Sequence, residues 1–171
     1  YRKWASIRLR MLDGWVNQWD LPELYAGAGS QGAEDAWYQT MVDLEFAQLE
    51  GTPYCGGTAD IMKFFDQILR PLVYELARVA GMPEDILDAY RRFQEGLRVH
   101  NSLAGGIGHP YVRPCSIPQG CPLSMMIVAL IMRPWLCMTK ELNVQPKVLA
   151  DDVLILASGT KMLSSLARAL D

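Results

Sequence analysis

Three acidic residues stand where side chains could do chemistry. Asp151 and Asp152 are adjacent, set between the apolar runs Val148-Leu149 and Val153-Leu154-Ile155-Leu156, and Asp60 ends the stretch Gly57-Thr58-Ala59-Asp60. Carboxylates that meet at one point supply the oxygen ligands that hard divalent cations take. Neighbouring residues on a strand point to opposite faces, so Asp151 and Asp152 can serve one site only from a turn. Taken singly, the Asp-Asp pair is better explained by a solvated turn and Asp60 by solvation of a strand end. Asp66, on the turn that follows, reads as a cap or a hydrogen-bonding buttress.

The stretch Ser116-Ile117-Pro118-Gln119-Gly120-Cys121-Pro122-Leu123-Ser124 is the other unusual segment. Pro118 at the second position and Gly120 at the fourth suit a tight turn, and Pro122 suits the first turn of a helix. Alone, this segment is a strand-to-helix connection.

The elements that must position these residues follow from periodicity and breakers. Trp4, Ile7, Met11, Trp15 and Trp19 recur at helical spacing and predict one amphipathic helix over 2–19. A loop at 26–30 precedes a helix over 33–50 with Trp37, Met41 and Leu44 inward. Gly51, Pro53, Gly56 and Gly57 break the chain before a short strand that ends near Asp60 and Ile61. Pro71 opens a helix that Gly81 closes, with Leu72, Leu76 and Val79 on one face. Another helix spans 83–97 with Ile86, Leu87, Tyr90 and Phe93 inward. A hairpin over 98–117 turns at the glycine-rich 104–108. An apolar helix covers 122–132, two strands over 147–157 flank Asp151-Asp152, and a last helix begins near Thr160. This pattern predicts an α+β fold, with helices packed on a small antiparallel sheet.

Taken together and in order, these segments resemble the motifs of reverse transcriptases. Ala59-Asp60-Ile61-Met62-Lys63-Phe64-Phe65-Asp66 resembles motif A. Ile117-Pro118-Gln119-Gly120-Cys121-Pro122-Leu123-Ser124 resembles motif B of the non-LTR retrotransposon and group II intron branch nearly residue for residue. Leu149-Ala150-Asp151-Asp152 resembles motif C. The resemblance implies a right-hand polymerase palm with part of the fingers: residues 1–56 as helical fingers, 57–171 as palm with the hairpin adjoining the fingers, and no thumb. It implies an RNA-directed DNA polymerase that joins deoxynucleoside triphosphates to a DNA primer on an RNA template, with Mg²⁺ or Mn²⁺ as cofactor. Asp60 and Asp151 would bridge two ions and Asp152 would support the ion at the primer terminus. Ile61 would offer its backbone carbonyl. Phe65 would exclude a ribose 2′-hydroxyl, with Phe64, Gln119 and Gly120 against the nucleotide and Pro118 and Asp66 as structural support. Two positions depart from the family pattern: Phe64 stands where a small residue is usual, and Leu149 where motif C has an aromatic. The family's triphosphate-binding fingers segment, motif D lysine, primer grip and thumb would lie outside these residues, so the chain alone is expected to bind template-primer weakly and to extend it little.

A net charge of −3 is unusual for a protein that contacts phosphate. Basic residues gather at Arg2, Lys3, Arg8 and Arg10 and again at Arg91, Arg92 and Arg98. The four cysteines form no C-x-x-C pair and read as small buried residues in a reduced compartment. No apolar run approaches the roughly 20 residues of a membrane span, and an intracellular setting, nuclear or cytoplasmic, is expected. The competing expectation is a non-catalytic relic, a domesticated or decayed polymerase fold that binds RNA or protein without turnover.

Overall fold

The computed structural model describes residues 1–171 as eight helices and five strands, a mixed α+β fold. Two compact units divide the chain, each built from two stretches: 1–15 with 63–124, and 16–62 with 125–171. The crossings thus fall at 15/16, 62/63 and 124/125, whereas the sequence reading set its boundary at 56/57. No helix is long and apolar enough to cross a membrane.

The first unit is mostly helical. Helix α1 (Arg2–Met11) stops at Leu12, whose N–H is shared between the carbonyls of Arg8 and Leu9, and α2 (Asp13–Trp19), whose residues from Val16 on belong to the second unit, restarts with an acidic residue in its first turn. The single helix expected over 2–19 is therefore broken. The break turns Ile7 and Met11 outward, while Ala5, Leu12, Trp15 and Trp19 are buried. Next in this unit come the short α4 (Phe64–Gln67), α5 (Arg70–Val79) and α6 (Glu84–Gly96). On α5 the buried residues are Arg70, Val73 and Ala77, with Leu72 and Val79 exposed, so the inward face is rotated from the one expected. On α6 the expected Ile86, Leu87 and Tyr90 are buried. The hairpin over 98–117 is reduced to β2 (Ser102–Leu103), β3 (Gly106–Ile107) and one bridge between Val99 and Tyr111. Its turn is the two residues Ala104-Gly105, both at positive φ, which matches the twist of the flanking strands.

The second unit holds a three-stranded antiparallel sheet in the order β1 (Tyr54–Asp60), β5 (Asp152–Ser158), β4 (Val144–Leu149). Gly56 and Gly57 lie inside β1 and do not break it. A Cβ on Gly56 would sit 2.6 Å from Leu156 Cδ2 and 2.9 Å from the Ile155 carbonyl, so β5 leaves no room for one. Leu24 adds a parallel bridge at Val148 on the other side of β4. Helix α8 (Met162–Leu170) lies against all three strands, and Trp135 of α7 (Ser124–Thr139) donates its indole N–H to Ala169. The expected end of α7 near Met132 is passed: the helix runs through Pro134, which is exposed, and Leu136 beyond it is buried.

Helix α3 (Ala33–Leu49) packs differently from expectation. Trp37 is 68 % exposed and Met41 39 %. The inward stripe is instead Ala36, Thr40, Asp43, Leu44 and Ala47, small or polar except for Leu44. Its anchor is an ion pair, Lys147 Nζ to Asp43 Oδ2 at 2.7 Å, with Lys147 buried in β4. A hydrophobicity pattern could not find this stripe, because the contact that selects it is electrostatic. Removing one partner of a buried pair leaves the other charge desolvated, at a cost of about 3–5 kcal/mol. Asp43→Ala is therefore expected to lower the midpoint of thermal unfolding steeply, and Asp43→Ala with Lys147→Met to recover much of the loss. Equal melting of the single variant and the parent would show that the pair does not anchor α3.

Candidate functional site

In the second unit, the register brings two of the three acidic residues face to face. Asp60 at the end of β1 is the cross-strand partner of Asp152 at the start of β5. Partners directly opposite in an antiparallel pair share a sheet face. Asp151 occupies the turn between β4 and β5, and its carbonyl accepts the N–H of Ile61 at 3.1 Å, which carries the pairing one step past Asp60. The turn is two residues long, Ala150-Asp151, with Leu149 paired to Asp152. Ala150 has φ +60°, a conformation that favours glycine and costs other residues about 1–3 kcal/mol.

Asp60 and Asp152 are exposed and Asp151 is half-buried. No cation pairs with any of them: the ion pairs of the chain are Arg78–Glu75, Arg113–Asp66 and Lys147–Asp43. The three carboxylates do not close into a ready-made cluster, and no group of three or more His, Cys, Asp or Glu is arranged as a metal cage. The donor set nevertheless suits a hard cation, since it is all carboxylate, no member is fully buried and none has a competing counter-ion. Beside the pair lies a hollow of about 520 Å³ between α3 and the sheet, lined by Trp37, Thr40, Thr58 and Leu154, with Asp60 and Asp152 contributing to its wall.

The first unit carries the remaining candidates. Phe64 and Phe65 open α4, half-buried and edge to face with centroids 6.3 Å apart. Lys63, just before them, is left-handed at φ 53°, ψ 35°. Asp66 forms an exposed ion pair with Arg113, Nη1 to Oδ1 at 2.7 Å. The tight turn runs from Pro118 to Cys121, whose N–H donates to the Pro118 carbonyl at 3.2 Å. Gly120, at φ +75°, is thus at the third position and Pro118 at the first, one place earlier than expected for each. Ser124 Oγ also donates to the Pro118 carbonyl, at 2.9 Å. Gln119 and Gly120 at the tip are exposed.

Sequence reasoning missed Arg70, which is 3 % exposed and hydrogen-bonded to the chain just before this turn. The one signal available was an arginine at a helix start between apolar residues. Of the cysteines only Cys121 is buried, 3.2 Å from the Tyr1 hydroxyl; Cys137 is exposed, against the expectation of four buried thiols. No protein-family model matches the chain, and no curated protein matches it.

Like charges set directly opposite on two strands destabilise the pair. In metal-free buffer, Asp152→Asn should therefore melt at or slightly above the parent. Added Mn²⁺ should raise the parent's melting temperature and leave the variant's unchanged, as differential scanning calorimetry can record; an equal response from both would dissociate the pair from metal binding. Ala150→Gly relieves the turn but loosens the unfolded chain, for a net gain of about 1 kcal/mol, or roughly 2–4 °C. A loss of stability in that variant would show the turn to be unstrained.

Proposed function

We propose that these residues form the catalytic core of an RNA-directed DNA polymerase, a reverse transcriptase of the non-LTR retrotransposon and group II intron-like branch. The observation that carries the reading is the register that sets Asp60 opposite Asp152 beside a turn containing Asp151. Residues far apart in the chain thereby supply oxygen ligands to one end of one sheet, and the segments that resemble motifs A and C acquire a shared chemical purpose. The sheet with α7 and α8 then corresponds to a polymerase palm.

Backbone strain is a second support. Four non-glycine residues have positive φ: Lys63, Ala104, Ser116 and Ala150. Three of them fall in or beside the segments that resemble motifs A, B and C, and only Ala104 serves a plain hairpin. Strain of this kind persists where the surrounding structure overrules it, and it gathers at functional sites. The opposed carboxylates also speak for catalysis over the relic reading, because they oppose folding and a fold that only binds has no use for them.

Divalent ions bound there supply the chemistry of activating the primer 3′-hydroxyl and neutralising charge on the α-phosphate of the incoming nucleotide. The chain's own part is to hold ligands. Asp60 and Asp152 present oxygens from adjacent strands, Asp151 does so from a turn whose geometry Ala150 dictates, and Ile61 is kept in place by its bond to Asp151. Mg²⁺ keeps part of its shell for substrate phosphates, so an open arrangement of acids suits it better than a closed cage. Phe65 would exclude a ribose 2′-hydroxyl by clash, Phe64 would shape the floor beneath the sugar, and Gln119 and Gly120 would contact the nucleotide. The partners are an RNA template, a DNA primer and deoxynucleoside triphosphates.

The test is primer extension by the protein of the full open reading frame. Asp151→Asn should cut extension by roughly 10²–10³-fold or more while the fold persists. Near-parental extension by that variant would place the chemistry elsewhere. In the same assay, Phe65→Ala or Phe65→Val should admit ribonucleotides at least about tenfold more readily, with a smaller change in deoxynucleotide use. Unaltered sugar selectivity would remove Phe65 as the gate and direct attention to Phe64.

A further inference from the structure

A single buried cation holds the segment that leads into the Pro118–Cys121 turn. Arg70 opens α5 and is almost fully buried, yet no carboxylate pairs with it. Its guanidinium donates to carbonyls alone: Nε to Ser116 at 2.9 Å, Nη1 to Gln94 at 3.0 Å and Nη2 to Cys115 at a longer 3.4 Å. Two of these acceptors are consecutive residues, and a planar fork can reach both where an ammonium could not.

What the fork grips is strained. Ser116 is buried at φ +89°, a region that residues with a Cβ rarely enter. Its carbonyl is taken by Arg70 and its N–H by the Ile68 carbonyl at 2.8 Å, so the peptide groups on both sides of this Cα are held. The next N–H, that of Ile117, donates to the Phe65 carbonyl at 3.0 Å, and Cys115 Sγ lies 3.2 Å from the Asp66 carbonyl. The chain entering the turn is therefore stitched to the backbone of Phe65, Asp66 and Ile68. Asp66, Arg70, Ser116, Ile117, Pro118 and Gln119 contribute to the wall of a hollow of about 350 Å³.

We propose that Arg70 is a positioning residue for the 117–120 loop and for Phe65: it holds Ser116 in its strained conformation, which sets the direction in which the loop leaves and keeps the loop bonded to the Phe65 backbone. That the loop and Phe65 contact a deoxynucleoside triphosphate rests on the polymerase reading; the clamp itself rests on the geometry. Arg70 touches no substrate. Its loss should blur the position of groups that do, which weakens nucleotide binding and sugar discrimination more than turnover.

The experiment compares Arg70→Lys, Ser116→Gly and the double variant in the protein of the full open reading frame. It records deoxynucleotide KM and kcat, the ratio of deoxynucleotide to ribonucleotide use, and hydrogen exchange at the Ser116 and Ile117 amides. Arg70→Lys should raise KM roughly tenfold with kcat less affected, lower the sugar ratio and speed both amides. Adding Ser116→Gly should return part of each loss, because glycine adopts that φ without being held. A variant with a lowered melting temperature but unchanged KM, sugar ratio and amide exchange would reduce Arg70 to a core residue and overturn the proposal. So would additive effects of the two substitutions. A parent protein that extends no primer would instead sink the polymerase reading, and faster amide exchange confined to the Arg70 variant would still establish the clamp.

Discussion

Seven cross-strand pairs, from Tyr54 with Ser158 to Asp60 with Asp152, join β1 to β5. The acidic site exists only in this register, since a slip of one residue would send every side chain of β1 to the opposite face. Both ends of the ladder are pinned. Ile61 donates to Asp151 at one end, and Gly159 donates to Pro53 at 2.8 Å at the other. In between, Gly56 permits a close approach that any side chain would prevent. Burial of Val153, Ile155 and Ala157 on one face of β5 fixes which of its residues turn the other way, Asp152 among them. The carboxylates are thus placed by hydrogen bonds and apolar burial, although neither acts on the carboxylates themselves.

What could be read from the sequence follows the same division. The β4–β5 hairpin and the inward face of α6 were legible, because dense apolar residues in unbroken periodicity leave one solution. Asp60 lies at a strand end as expected, but of the Asp-Asp pair expected on a turn only Asp151 is in it, because pairing with Leu149 and Asp60 draws Asp152 into β5. Helix α3 was not: its aromatic residues suggested one face, and the Asp43–Lys147 pair selected another. The inward face of α5 was hidden for a similar reason, with Arg70, Val73 and Ala77 turned in while Leu72 and Val79 are left to solvent. Pro118 and Gly120 announced a turn, and only the bond from Cys121 to Pro118 shows its frame.

The two units hold their functional candidates by different means. In the second, regular pairing does the positioning and a single strained residue, Ala150, makes the corner. In the first, regular structure is sparse around the 117–120 loop, and order comes from bonds to backbone carbonyls by Arg70, Ser116, Ile117 and Ser124. Such a loop has no ladder to fall back on, so its order depends on each anchor separately.

The discontinuity of the second unit has a consequence for how the protein comes into being. Its ion pair joins residues 104 positions apart, and the central strand of its sheet is synthesised after the whole of 63–124 has emerged. Until then β1 has no partner on either edge, and α3, with Trp37, Tyr38, Phe46 and Leu49 already outward, has no sheet to cover. The nascent chain must keep an unpaired strand and an aromatic helix in waiting while the intervening unit forms first. Contacts of such long range are slow to close and leave the chain open to wrong associations meanwhile. Any message truncated before Val144 would release a polypeptide with β1 unpaired and α3 without its sheet, a species for chaperones and proteases to deal with.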